Sequence, residues 1–279
     1  MHRPHFPDRE QTSILSATLL LAFILAKSAD LPARTLAVSL FGILIETTLD
    51  VHILAAILVA GLAATGTVWL IRGHPVAALQ TLEAPHWILP ALSAWVLAIV
   101  LFALPMGALW WIILLLGGGF LAVIWSAEYI VVDGHDPNFR LAVAGITTQS
   151  FVLFLVLAIN LRAADTRLIF ILPSLIVPVV LITLRFIHLK LKSQELVDSQ
   201  NTAMAALAAG GSGVIAAQII TALHFLPLSP VAFGLAILAP VYALNIYLGN
   251  LADDRPPTRT IVEPAILLLA IWTLALLFN

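Results

Sequence analysis

Residues 167–188 read RLIFILPSLIVPVVLITLRFIH, and no charge interrupts them between Arg167 and Arg185. A helix needs roughly 20 apolar residues to cross about 30 Å of hydrocarbon, and this run has that length. Similar runs lie near 11–27, 51–71, 86–106, 108–132, 138–161, 203–225, 229–249 and 261–278. The expected fold is therefore all-α: a polytopic transmembrane helical bundle of about nine spans.

Composition supports this reading. The chain is 61 % hydrophobic and only 10 % charged, with a mean hydropathy of +1.06. A soluble domain has about a quarter charged residues, so the solvent of this chain is lipid. The formal charge of −2 gives no electrostatic case for nucleic acid. There is no cysteine, which excludes disulfides, thiolate metal sites and cysteine nucleophiles. No connector is long enough for a soluble domain, so residues 1–279 read as a single integral membrane domain. The first run, Ile14 to Ala26, also fits the apolar core of a signal peptide with cleavage at Ala29. Lys27 stands three residues before that cut, where a small residue is wanted, and retention as a span is the reading adopted.

Lys and Arg set the expected orientation. With the N-terminus in the cytoplasm, Arg3, Arg9, Arg72, Arg140, Arg185, Lys190, Lys192, Arg255 and Arg259 fall inside. Lys27, Arg34, Arg162 and Arg167 fall outside. That asymmetry predicts a plasma (inner) membrane protein, N-terminus in and C-terminus out. Trp69, Trp87, Trp110, Trp111 and Trp125 lie near expected span ends, where amphipathic rings favour the interface. Residues 34–50 (RTLAVSLFGILIETTLD) fit no span. Their alternation and the Phe41-Gly42 pair suggest a short external β-hairpin. The alternative is a short amphipathic or re-entrant helix, since Leu36, Leu40, Ile43 and Leu44 share a helical face.

Ionisable residues within a bilayer are costly and informative, and the expected midplane has none. Its polar residues are Ser93, Thr147, Thr148, Gln149, Ser150, Ser174, Ser212 and Gln218, for which interhelical hydrogen bonds are expected. A polar path between the fifth and seventh helices is the other reading. The seventh span carries Ala209/Gly213/Ala217 and Ala208/Ser212 at small-xxx-small spacing and is expected to be the most buried helix. Pro90, Pro173, Pro178 and Pro240 should kink their spans.

Charges collect instead at the inner span ends. Glu128, Arg185, His188, Asn250 and Glu263 form the candidate polar cluster, with a Glu128–Arg185 pair at its centre. Arg185, Lys190 and Lys192 are candidate contacts for anionic lipid headgroups. Asp133-Gly-His-Asp136 offers metal ligands but reads better as a solvated turn; neither metal nor cofactor is expected. Asn250-Leu-Ala-Asp-Asp-Arg-Pro-Pro-Thr-Arg259 resembles an aspartate-rich loop of UbiA-type prenyltransferases. Those enzymes hold magnesium diphosphate between two such loops, and the 72–86 connector supplies no partner, so that reading is rejected. Ala63-Ala-Thr-Gly-Thr-Val-Trp69, His86-Trp-Ile-Leu-Pro90, Ala127-Glu-Tyr-Ile-Val-Val-Asp133 and Leu226-Pro-Leu-Ser-Pro-Val-Ala-Phe-Gly234 resemble an uncharacterised bacterial multi-pass membrane-protein family, a domain of unknown function. That resemblance implies the same architecture and assigns no catalytic residue.

Three functional classes follow. The leading one is a non-catalytic membrane subunit, scaffold or sensor whose surroundings are the lipid bilayer, because no motif demands chemistry. A transporter or lipid-handling protein would use the kinked helices and the Gly/Ser-rich seventh span. A membrane enzyme acting on a lipid-linked substrate at the cytoplasmic face would use the polar cluster.

Overall fold

The computed structural model describes residues 6–29, 34–40, 43–49, 51–76, 85–253 and 255–279, with 34–51 described by backbone path alone. Among them the chain forms helices α1 (Arg9–Ser28), α2 (Val51–Arg72), α3 (Ile88–Ala103), α4 (Ala108–Ile130), α5 (Phe139–Ala163), α6 (Leu168–Ser193), α7 (Ser199–His224), α8 (Pro230–Ala252) and α9 (Pro257–Leu277). Hydrocarbon offers nothing to an exposed peptide group, so a spanning segment must satisfy its backbone internally, as a helix does. Between α1 and α2, Arg34–Leu40 (β1) and Ile43–Leu49 (β2) run antiparallel, Arg34 opposite Leu49 and Leu40 opposite Ile43. The turn expected at Phe41-Gly42 lies outside the described residues.

Eight of these helices are long and apolar enough to cross a membrane. The exception is α3, expected over 86–106, which has 16 residues. At 1.5 Å per residue it is about 24 Å long, short of the roughly 30 Å of hydrocarbon. Prolines bound it: Pro85 lies just before, and Leu104, the residue preceding Pro105, leaves the helix as pre-proline residues tend to. Pro90 falls in its first turn, where a missing N–H costs nothing.

The chain divides into two compact units, residues 1–82 with 89–133 and residues 83–88 with 134–279. The first unit is closed by one apolar cluster, including Leu19 and Phe23 of α1, Ala63 of α2, Ala98 and Leu101 of α3, and Leu114 and Leu121 of α4. Two tryptophans expected at the interface sit in this core: Trp110 and Trp125 are fully buried. Each indole N–H finds a partner inside, Trp110 on the Leu101 carbonyl (3.0 Å) and Trp125 on the Thr67 hydroxyl (3.1 Å). Trp69 and Trp111 are exposed on the unit's outside, and Trp87, which belongs to the second unit, is exposed as well. Lys27, at the end of α1, donates to the Phe102 carbonyl at the end of α3 (3.0 Å).

In the second unit the central helix is α8, which packs against α5, α6, α7 and α9. Its apolar stretch is 56 % buried, against 33 % for α7, so the expectation that the seventh span is the most buried is corrected. The reason lies in where the small residues sit. On α7 they serve one face: Ala209, Ser212, Gly213 and Ala216 are buried, while Gly210 and Gly211 look outward. On α8 they admit neighbours at both ends. A Cβ on Gly234 would lie 2.7 Å from Ile159 of α5, and one on Gly249 would lie 3.0 Å from the Phe186 ring of α6. Pro173 and Pro178 lie inside α6 and Pro240 inside α8.

The buried face of α7 is nonetheless tight, since a Cβ on Gly213 would come within 2.6 Å of Val180 of α6. Gly213→Leu is expected to overpack this contact by about 1–3 kcal/mol. Gly211→Leu, at a position with open space around it, is expected to be nearly silent. Thermal unfolding of both variants in detergent checks the contrast; equal melting temperatures would remove the close α6–α7 approach.

Candidate functional site

Of the candidate residues, Lys190, Asn250 and Glu263 lie where α6 and α8 end and α9 begins. Lys190, in the last turn of α6, donates to Asp253 Oδ2 at 2.8 Å. Gln194 donates to Asp253 Oδ1 (2.9 Å) and to the Ala252 carbonyl (3.2 Å). Arg255 Nε lies 3.6 Å from Asp253 Oδ2, and its Nη1 lies 3.4 Å from Glu263 Oε2. Asn250 completes the chain by donating to the same Glu263 oxygen at 3.0 Å. Two carboxylates thus tie three helix ends together through charge-assisted hydrogen bonds, the stronger kind.

Local sequence explains the arrangement. Asp253 is the C-cap of α8, its N–H bonded to the Gly249 carbonyl. A carboxylate at a helix C-terminus opposes the helix dipole and needs cations nearby. Lys190 and Arg255 supply them. Pro256 and Pro257 then start α9, with proline in the first turn where it fits best, and this places Glu263 two turns along, in reach of Asn250.

Deeper along α6 lie Arg185 and His188, both buried and three residues apart on one helical face. Arg185 Nη2 is 3.2 Å from His86 Nδ1. Guanidinium groups only donate, so this contact requires an unprotonated Nδ1 on His86. Beside them Asn245 of α8 donates to the Thr183 hydroxyl of α6 (3.2 Å) and to the Val241 carbonyl (2.8 Å). That is a cross-helix polar contact in a fully buried setting, for Asn245 and Thr183 are both 0 % exposed. Most midplane hydroxyls behave otherwise. Ser93, Thr147, Ser150 and Ser212 donate to carbonyls four residues back in their own helices, which corrects the interhelical role expected of them.

Of the five cluster residues, Asn250 and Glu263 are in direct contact, and Arg185 and His188 share a face. Glu128 is fully buried on α4 and belongs to the first unit. Lys190 is held by Asp253, and Lys192 is half-buried in the last turn of α6. Asp253 and Gln194 were not among the candidates. The unfavourable placement of an acid directly after α8 was the available signal for Asp253. Among the described residues, no group of three or more His, Asp or Glu is placed to hold a metal ion.

At the opposite end of this unit Arg162 closes α7. It donates to the carbonyls of His224 (3.2 Å) and Leu226 (3.0 Å) and lies over the Phe233 ring at 5.2 Å. Beside it, Ser229 donates to the Phe278 carbonyl at 2.8 Å, bringing the start of α8 and the end of α9 together.

Long apolar helices tied at their ends by polar contacts define a multi-pass helical membrane protein. The chain belongs to the family described as a protein of unknown function (DUF5656), whose model matches residues 31–278. No curated protein and no solved structure matches it.

Removing Glu263 should release two partners at once. Glu263→Ala is expected to lower stability by about 1–2 kcal/mol, the scale of a charge-assisted hydrogen bond at a part-exposed site. Asn250→Ala should then cost less in the Glu263→Ala background than alone. Full additivity in detergent melts would show that the two side chains act independently.

Proposed function

We propose that this protein is a non-catalytic, nine-pass subunit or scaffold of the plasma (inner) membrane, with its N-terminus in the cytoplasm and its C-terminus outside. The observation that carries this reading is the continuous run Lys190–Asp253–Arg255–Glu263–Asn250. Its charges are engaged with one another, in the manner of groups that hold helices rather than groups presented to a reactant. Glu128, Arg185 and His188 belong to this account as buried structural polar residues, and their cluster with Asn250 and Glu263 is part of the proposal.

Nine crossings include α3 despite its length. Lys27 at the end of α1 and Trp110 at the start of α4 both reach carbonyls in the last turn of α3. This supports an α3 whose C-terminal end is level with that side of the bundle. The four residues 104–107 between α3 and α4 are too few to carry the chain back across, which favours two antiparallel crossings. The basic asymmetry of the connectors then sets the side. Alkaline phosphatase fused after Asn279 is expected to be active, and fused after Lys192 inactive. The reverse pattern would overturn the orientation.

The functional proposal is tested by replacing Glu128, Arg185, His188 and Glu263 singly with Gln. Folded protein in the membrane and rescue of a deletion strain would both be measured for each variant. If the residues are structural, rescue follows the amount of folded protein. A variant that accumulates to the wild-type level and melts normally yet fails to rescue would identify a chemical or transport role instead.

A further inference from the structure

Pro240 lies inside α8, the central helix of the second unit. Proline has no N–H, so the carbonyl four residues earlier, that of Ala236, loses its donor within the helix. Hydrocarbon offers no replacement, and a carbonyl freed inside a span is satisfied by a neighbouring helix or not at all. Here the neighbour is α9: the Trp272 indole Nε1 donates to the Ala236 carbonyl at 3.0 Å. Four helix-interior prolines, Pro173, Pro178, Pro240 and Pro264, free a carbonyl in this way. Among the described residues, that of Ala236 is the one met by a side chain from another helix.

The rest of α9 is fastened in the same manner. The helix lies along α8 and is otherwise largely exposed, its apolar stretch being 17 % buried. Polar contacts hold it to α8 at three levels. Asn250 and Arg255 engage Glu263 near its start, and the Ala236 carbonyl engages Trp272 along its length. At its end, Ser229 donates through its hydroxyl to the Phe278 carbonyl (2.8 Å) and through its N–H to Asn279 Oδ1 (3.0 Å). Pro240 thus has a fastening of α9 on either side of it and one at the carbonyl it frees.

We propose that α8 carries a hinge at Pro240 and that α9 is the splint that locks it, with Trp272 standing in for the missing helix donor. Without the indole N–H, the Ala236 carbonyl has no donor and the two halves of α8 move against one another. The halves carry different neighbours. Gly234, before the proline, faces Ile159 of α5, and Gly249, after it, faces Phe186 of α6. The lock therefore fixes α5 and α6 relative to one another through α8. This device goes beyond a scaffold role and does not depend on the protein being non-catalytic.

The chain has no cysteine, so Val231→Cys and Leu251→Cys, at exposed positions on either side of Pro240, take two nitroxides without other changes. About 30 Å of helix separates them, a distance that pulsed dipolar spectroscopy reads on the full-length protein in lipid nanodiscs. One narrow distance is expected with Pro240 and Trp272 in place. Trp272→Phe keeps an aromatic ring but removes the N–H, and should broaden the distribution. Pro240→Ala restores a donor at position 240, so adding it to Trp272→Phe should narrow the distribution again. The folding equilibrium gives a second reading. Trp272→Phe should lower the folded-to-unfolded ratio about fivefold, the effect of one hydrogen bond, with almost no change when Pro240→Ala is present. An unchanged width in Trp272→Phe would overturn the proposal, as would a broadening that Pro240→Ala fails to reverse. If Trp272→Phe alone does not fold, the variant carrying both changes decides: it should fold and give the narrow distance. Its failure to fold would show that Trp272 acts through its bulk, and would overturn the lock.

Discussion

Hydrocarbon supplies neither hydrogen-bond donors nor acceptors, and the disposition of polar groups in this chain follows from that constraint. Backbone groups are satisfied within helices. The hydroxyls of Ser93, Thr147, Ser150 and Ser212 are satisfied by the preceding turn of the same helix. Such a bond needs no neighbour, so these residues are tolerated anywhere around a helix and carry little information about packing. Indole N–H groups that enter the core, as at Trp110 and Trp125, do so where a carbonyl or hydroxyl is waiting. Full charges gather at helix ends, and in the second unit Asp253 and Glu263 join them into a clasp across α6, α8 and α9.

Apolar packing then decides which helix is central. Without a hydrophobic drive between helices in lipid, close backbone approach and dispersion select the contacts. On α8 the small residues admit α5 at Gly234 and α6 at Gly249. Those two contacts lie at different ends of the same helix, which lets four neighbours share it. The small residues of α7 provide one such contact, Gly213 against Val180, and leave the opposite face exposed. A clasp at the ends and a small-residue seam along the length are complementary, since one fixes register and the other sets distance.

Much of this was legible in the sequence, and the failures have physical causes. Uncharged runs near 20 residues identify eight of the helices because length and hydropathy are the whole requirement for crossing. The third run was read too long, since apolarity continues through Phe102 and Leu104 although Pro105 stops the helix. The density of Ala, Gly and Ser pointed to α7, whereas burial depends on how many faces those residues occupy, and α8 distributes them more widely. Trp110 and Trp125 were read as interfacial because position along a span is visible in sequence and rotation about its axis is not. The Asn250–Glu263 contact was anticipated from both residues lying near the same side of the membrane. Asp253 was missed because an acid in a Pro-rich connector resembles a solvated turn, and only its place directly after α8 shows why it needs Lys190 and Arg255.

The central claim is that the charges of this protein serve to join its own helices, and the Lys190–Asp253 contact states it most sharply. A double-mutant cycle in lipid bicelles, with Lys190→Met and Asp253→Asn singly and together, measures that coupling directly. A favourable coupling of about 0.5–1.5 kcal/mol that shrinks with added salt is expected for a part-buried pair at 2.8 Å. Strict additivity of the two changes, with each variant folded, would contradict the account and leave these charges free for another role.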